Sequence, residues 1–514
     1  VRGLFANKLV VGALVVLALG ALYALAWFSH PIIAAVGSQP EPPSRAEVTA
    51  AVRACPSPGG PVGGGVALIA AGPDGQASQA GPGQAAVNRL SAAGSAGPGP
   101  LLVTRSQPGV LTQAKVGLAT ARSGRLPPGS QPGGAGQVLA GPSRGGVVIQ
   151  ATGSMARALE VEQTGAAGLP TALCNGPGTD FWFVGPGQHA AASMQLYLMN
   201  TDSQPADAEV DIFTDSGPRL GSTDTGIAIP AHGLLVQSLA KLLHGSRVVA
   251  LHVRTSVGRV VAALRESSRA SQPGAWLPVS QPPARNLILP GLPASAGRRD
   301  LYVAVPGAAN AQVKVTAVTA KGSYHPTGGS SIDLPGGSAV VVPLPSLAGL
   351  AAAISLTSNV PVTASIRVSG GPPGAHGVFS AAAAPVAEQG VIAFNLSGSG
   401  HASDLVLSAP HGAARIQVTE EGAAAGQQPG PGGQAQVIAV KAEHTTVVRL
   451  HRPSGSAARS PFAVVITPLA GSGPVYAGRA LTAGGAVESI FPVPTALTSV
   501  PLLPVRNSLT AALP

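Results

Sequence analysis

Apolar and polar residues alternate strictly in three short stretches of the chain: Ala208-Glu209-Val210-Asp211-Ile212, Ala311-Gln312-Val313-Lys314-Val315 and Ala414-Arg415-Ile416-Gln417-Val418. A period of two predicts a strand with one face on a core and the other in water. The three lie roughly 100 residues apart, and each sits in the same order of neighbours. An apolar run opens each copy, as Trp182-Phe183-Val184, Leu287-Ile288-Leu289-Pro290 and Val391-Ile392-Ala393-Phe394. A second strand precedes the alternating one, as Leu196-Tyr197-Leu198, Asp300 to Pro306 and Asp404 to Pro410.

After the alternating strand comes a fourth element, Ile227 to Leu239, Ile332 to Leu344 and Ile438 to Leu450, in which Pro230 with Gly233, or Pro335 with Gly336-Gly337, predicts a hairpin turn. A pair of strands closes each copy: Val248 to Val253 with Val257 to Leu264, Ala352 to Leu356 with Val360 to Ile366, and Phe462 to Thr467 with Val475 to Leu481. Six or seven short strands in such a span, with turn signals between them, predict an all-β chain of tandem immunoglobulin-like antiparallel β-sandwiches. The period is too long for propeller blades of about 40–50 residues. Sandwiches are placed at residues 180–268, 285–368 and 390–482. A degenerate first copy occupies 45–175, because Val147 to Val161 resembles the closing pair with Thr152-Gly153-Ser154 as its turn. Linkers are expected at Arg269 to Ala284, Ser369 to Pro385 and Ala483 to Pro492, and a C-terminal tail at 483–514.

One stretch breaks this strand pattern. Leu9 to Phe28 is apolar and uncharged throughout, and twenty residues at about 1.5 Å each reach the roughly 30 Å of a bilayer core. Residues 1–30 therefore read as a short cytoplasmic N-terminus and a transmembrane signal anchor. Arg2 and Lys8 before the run predict a cytoplasmic N-terminus and an extracytoplasmic body. Ala24-Leu25-Ala26 also has the form of a signal-peptidase site. Either way the body is expected outside the cytoplasm.

Composition supports many small contacts rather than a few large ones. Gly (68) and Pro (49) are abundant, while only 10% of residues are charged and 3% aromatic, so Val, Leu, Ile and Ala must supply the cores and long helices beyond the anchor are disfavoured. The two cysteines, Cys55 and Cys174, fall on the exported side, where a disulfide forms and persists. Such a bridge would staple the poorest part of the chain, residues 56 to 146, rich in Gly, Pro, Ser and Gln. The net charge of +10 does not point to nucleic acid, since the longest basic run is Arg298-Arg299 and stacking aromatics are scarce. Outside a membrane, such a surface would meet lipid, an anionic wall polymer or an envelope protein.

Cys55-Pro56, and Cys174 followed by Asp180-Phe181-Trp182-Phe183-Val184-Gly185, with a membrane segment before them and repeated strands after, resemble an actinobacterial membrane-anchored secreted protein family, domain of unknown function 5719. The resemblance implies an envelope location and no established activity. The chain departs from that pattern in its long low-complexity stretch before Gly146.

The residues offer little chemistry. No Gly-Lys pair exists to build a P-loop, and no His-Glu-x-x-His is present. His401 and His411 flank Asp404 but sit at opposite ends of a predicted strand, too far apart to share a metal. No nucleophile elbow is recognised, and Gly-Ser pairs such as Gly153-Ser154 and Gly329-Ser330 read as turns. Asp211 with Asp215, or Asp180 with Asp202, could be paired carboxylates, but they fall on outward strand faces or turns. Trp182 between two phenylalanines could stack on a sugar ring or pack beside Cys174. No catalytic residue, metal or cofactor is therefore expected. The chain reads as a non-catalytic, membrane-anchored structural or interaction protein of the cell envelope. The alternatives are a wall-polymer or carbohydrate-binding accessory subunit of envelope-building enzymes and, third, an extracytoplasmic hydrolase.

Overall fold

The computed structural model describes residues 8–28, 45–56, 65–70, 83–92, 103–106, 145–153, 156–164, 170–188 and 191–502, apart from 192, 220–225, 268–273, 295–296, 328–329, 345–346, 348, 370–376, 423–434, 455 and 457–460. Residues 1–46 with 501–514 make one compact unit, and 47–500 make the other. Among its described residues the small unit holds the α-helix Lys8–Phe28, 21 residues long and uncharged after Lys8; its side chains at 11–25 and 27 are exposed. Among the described residues, no helix is long and apolar enough to be scored as crossing a membrane. The side chains of residues 8–10, 26 and 28 lie outside that description, so the length of the uncharged run rests on sequence.

The large unit is built of strands, and four modules with one strand order can be followed through it. The second module runs from Asp180–Pro186 to Ala275–Leu277. One of its sheets orders Gly217–Arg219, Ala206–Thr214, Val248–Val257 and Asp180–Pro186 side by side; the facing one orders Ala275–Leu277, Val261–Ser267, Ser193–Met199 and Gly233–Ser238. The third module repeats both orders, as Gly322–Tyr324, Ala311–Thr319, Ala352–Ser369 and Ala284–Leu292, and as Val378–Ala381, Ala352–Ser369, Arg298–Ala304 and Ala339–Leu344. Its 18-residue strand Ala352–Ser369 serves both sheets, pairing with Ala311–Thr319 through its first half and Arg298–Ala304 through its second. In the fourth module the sheets are Gly390–Asn395, Phe462–Pro468, Ala414–Gly422 and Gln436–Val440, and Ala486–Pro492, Tyr476–Ala483, His401–Ala409 and His444–Leu450.

The first module has the same plan. Val103–Ser106, Gly83–Ala92, Gly145–Thr152 and Ala50–Pro56 lie side by side in that order, in one sheet with the second module's Gly233–Ser238, which pairs in parallel with Gly83–Ala92, and Pro170–Leu173, Leu159–Thr164 and Gly65–Ala70 form the other. Alternation explains why two sheets close on a core in each module. In Ala206–Thr214, Val210 and Ile212 are buried inward while Glu209 and Asp211 point out, and Leu196 and Leu198 meet them from the facing sheet. Two turns even share their chemistry: Thr214 Oγ1 donates to the Gly217 carbonyl and Thr319 Oγ1 to the Gly322 carbonyl, both at 2.9 Å. Gly217 and Gly322 have φ of 99° and 103°, a region open to glycine and strained for other residues.

Two sequence expectations are corrected. The fourth element is not a hairpin: Ile227–Ile229 pairs with Ala206–Thr214 while Gly233–Ser238 pairs with Ser193–Met199 in the other sheet. Pro230 and Gly233 do make a turn, with Gly233 N donating to the Pro230 carbonyl, but the turn carries the chain across the sandwich. The expected linkers and the start of the tail hold the strands Ala275–Leu277, Val378–Ala381 and Ala486–Pro492. Each zips onto its own module as an outermost strand and lies at a seam between modules.

The seams follow a cycle. Pro170–Leu173 lies against Ala275–Leu277, which lies against Val378–Ala381, which lies against Ala486–Pro492, which returns to Pro170–Leu173. Tyr197, Met199, Leu234 and Trp276 of the second module pack on Ala54, Val148 and Ala172 of the first. One step on, Tyr302, Ala304, Ala339 and Phe379 of the third join the core of the second. Ala480 and Ile490 of the fourth join the core of the third, where the Gly291 and Gly478 backbones touch and leave no room for a Cβ. Ala158 of the first then meets Val391, Ala393 and Ala463 of the fourth.

Candidate functional site

The densest group of titratable side chains lies on the outward face of the second module. Pairing sets Glu209, Arg254 and Asp180 in one row across three strands and Asp211, His252 and Trp182 in the next. Since neighbours in a row are about 5 Å apart, long side chains there must interact. His252 Nδ1 lies 3.2 Å from Asp211 Oδ2 and its Nε2 lies 3.0 Å from Asp180 Oδ1. The imidazole stacks on Trp182, with ring centroids 4.0 Å apart and planes at 8°, and Phe213 covers Trp182 at 6.3 Å. Arg254 bonds Glu209 at 2.7 Å and approaches Asp211 at 3.6 Å.

Such a group could serve as an acid–base centre only with a ring nitrogen left for substrate. Here both nitrogens of His252 face carboxylates, and each carboxylate sits beside a cation or the imidazole. The arrangement gives each of the three acids a partner in the imidazole or the guanidinium on a half-open face. Among the described residues no three His, Cys, Asp or Glu side chains are placed to hold a metal ion.

A second polar group is wholly buried, at the seam between the fourth and first modules. Glu162 Oε2 accepts from Arg479 Nη2 at 2.8 Å, and Glu162 Oε1 accepts from the backbone N–H groups of Ala393 and Phe394 at 3.0 and 3.3 Å. The two side chains are 1% and 0% exposed. Arg479 also donates to Ser489 Oγ and lies over the Phe491 ring at 4.7 Å. Burial pushes the Glu162 carboxyl up and the Arg479 guanidinium down, each held back by the other's charge and Glu162 also by the two N–H donors. Losing water is the larger effect on both, so neither charge is stable there without its partner. The seam between the second and third modules has a looser pair of opposite order, Arg367 Nη2 to Glu266 Oε1 at 3.5 Å. Tyr302 beside it is pushed up to about 12, chiefly by burial.

Most of the residues singled out from sequence serve as structural contacts. Cys55 and Cys174 are disulfide-bonded, with Cα atoms 4.7 Å apart, and the bridge ties Ala50–Pro56 to the facing sheet of the first module. Trp182 packs on His252 and Phe213, not on that disulfide, whose neighbours are Ile149, Ala151, Leu159 and Val161. It is 5% exposed, so its ring is not open to a sugar. The expectation failed because Trp182 points away from the core of its own module. Asp211 and Asp180 are brought together through His252, whereas Asp215 bonds Arg247 and Asp202 bonds Arg259 elsewhere. Asp404 pairs with Arg449 at 2.6 Å, and His401 and His411 stay at either end of His401–Ala409.

The chain does contain one Gly-x-Ser-x-Gly, Gly141-Pro142-Ser143-Arg144-Gly145. Residues 141–144 lie outside the described residues, and the motif leads into the strand Gly145–Thr152 rather than a helix, which is not the setting of a nucleophile elbow. His252 and the Glu162–Arg479 pair were not singled out from sequence. The available signal for the latter was an arginine in or directly after each closing run. Arg265, Arg367 and Arg479 lie opposite Trp276, Phe379 and Phe491, each with its guanidinium over the ring.

A profile described as a family of unknown function, DUF5719, matches residues 129–451, from before the strand Gly145–Thr152 to the end of His444–Leu450. No curated protein and no solved structure matches the chain.

Proposed function

The chain belongs to the family DUF5719, and from that premise we propose that it is a non-catalytic structural or interaction protein of an actinobacterial cell envelope, its immunoglobulin-like modules anchored outside the cytoplasmic membrane by Lys8–Phe28. One observation carries this reading: the two densest polar groups among the described residues are spent on their own contacts, since His252 has both nitrogens on carboxylates and Glu162 and Arg479 are shut into a seam. The helix adds to it, with exposed Leu, Val and Ala and no charge from Leu9 to Phe28. The native disulfide fits an oxidising compartment.

The second reading, a wall-polymer or carbohydrate-binding subunit, calls for clustered exposed aromatics. Outside the helix, Tyr324 is the exposed aromatic among the described residues, so the structural reading is favoured. Replacing residues 1–28 by a cleavable export signal tests it. A released, folded body that no longer supports the envelope is the expected result. Full function from a soluble body, or loss of function in Asp180→Asn, Asp211→Asn or His252→Gln with folding and export intact, would overturn it.

A further inference from the structure

We infer that the fourth module carries a docking edge for a second copy of this chain: the strand Gln436–Val440, which pairs antiparallel with itself across a two-fold axis and so joins two sheets into one. Gln436–Val440 ends its sheet. Ala414–Gly422 pairs with one side of it, and among the described residues no strand pairs with the other. An open edge presents a row of backbone N–H and C=O groups whose complement is another extended strand.

The same place in the second and third modules is blunted. The ends there are Gly217–Arg219 and Ile227–Ile229, and Gly322–Tyr324 and Ser331–Leu334, each three or four residues long. Arg219 and Asp333 put charges on two of them, and Pro230 and Pro335 stop two. Short, charged, proline-stopped ends resist strand addition. Gln436–Val440 has five residues with neither charge nor proline among them, and Lys441 follows it. Ile438 packs on the core of the module, while Val437, 52% exposed, and Ala439 lie open on the outward face.

The strand is its own best complement. A pair centred on Ile438 sets Gln436 opposite Val440 and Val437 opposite Ala439 of the other copy, so every residue of both strands is paired and the open apolar side chains cover each other. Lys441 then faces the uncharged Ala435, and no like charges are opposed. Such a contact closes at two copies, because each uses up its edge in making it. Five residues a side is small beside the roughly 20–30 of a stable interface, so covalent trapping reads it better than particle size.

The purified full chain carrying Ile438→Cys, in mild detergent with diamide as oxidant, provides the test. Across the axis residue 438 faces itself at about 4.5–5.5 Å between Cα atoms, within disulfide reach, and Cys55 and Cys174 are already bonded to each other. Non-reducing gels are expected to show about tenfold more linked dimer than with Val447→Cys, an exposed position on the facing sheet. Adding Val437→Asp with Ala439→Asp should abolish the link, since acids would then face acids. Val437→Asp with Ala439→Lys should restore it, since opposite charges would meet. Both pairs place two charges at the same exposed positions, so a folding defect would not separate them. No link at 438, equal linking at 438 and 447, or the same effect from both charge pairs would overturn the proposal.

Discussion

The second–third and fourth–first seams use the same sheets of the same kind of module, yet they are held by different physics. In the former, Phe379 and Tyr302 extend one continuous core across the junction, and the Arg367–Glu266 pair is a loose accessory at 3.5 Å. In the latter, alanines bring the backbones close and a tight buried ion pair supplies the specificity. Apolar surface holds whatever it touches, whereas a buried charge holds only its own partner. A chain of four like modules needs that distinction, because without it any module could dock on any other.

The largest expected effect comes from stranding one charge. Glu162→Gln or Arg479→Met alone should weaken the fourth–first seam by about 3–5 kcal/mol, whereas Glu266→Gln at the second–third seam should cost about 1 kcal/mol or less in two-state denaturant melts. Equal losses at the two seams would erase the contrast. Next is Cys174→Ser. The bridge closes a loop with a sequence separation of 119, so its loss should cost on the order of 2–5 kcal/mol. That loss should be confined to residues 146–163, as measured by hydrogen exchange, with the third module unaltered. Uniform loosening would mean that the first module does not hold a core of its own.

A smaller effect should sharpen the second–third seam. Tyr302 is buried, and its phenol is raised from the ordinary 10 to about 12, so the folded state holds the proton more tightly than the unfolded chain. Stability from this group is whole below pH 10 and falls as pH rises toward 12, by roughly 2–3 kcal/mol for two units. Melts of Tyr302→Phe between pH 9 and 12 should lack that fall; an unchanged fall would place its cause elsewhere. Smallest is His252→Gln on the half-open face, expected within about 1 kcal/mol of the parent in the same melts.

The repeat was legible because strict alternation in Ala208 to Ile212 and its two copies is a local signal that packing does not override. The sheet each strand would join was not. A turn at Pro230–Gly233 looks the same whether the chain doubles back or crosses to the facing sheet. The expected linkers carried Pro and Gly, which masked three-residue and four-residue strands such as Ala275–Leu277 and Val378–Ala381. The seam pair was hidden for a different reason: Glu162 falls on the outward positions of Leu159 to Thr164, where alternation predicts water. Only a partner 317 residues away turns that position into a buried one. Trp182 misled for another reason: its ring lies on the outward face between His252 and Phe213, neither beside Cys174 nor open to a sugar.

Closure of the ring is tested most directly by joining its two ends. Val48 N donates to the Thr498 carbonyl at 3.1 Å, so cysteines at Val48→Cys and Thr498→Cys stand within bridging reach once the first module and the end of the fourth are assembled. Mass spectrometry of the purified, non-reduced protein is expected to find these two peptides linked to each other within one chain and Cys55 still linked to Cys174. Free thiols at 48 and 498, or a link that forms only between two copies, would contradict a closed ring.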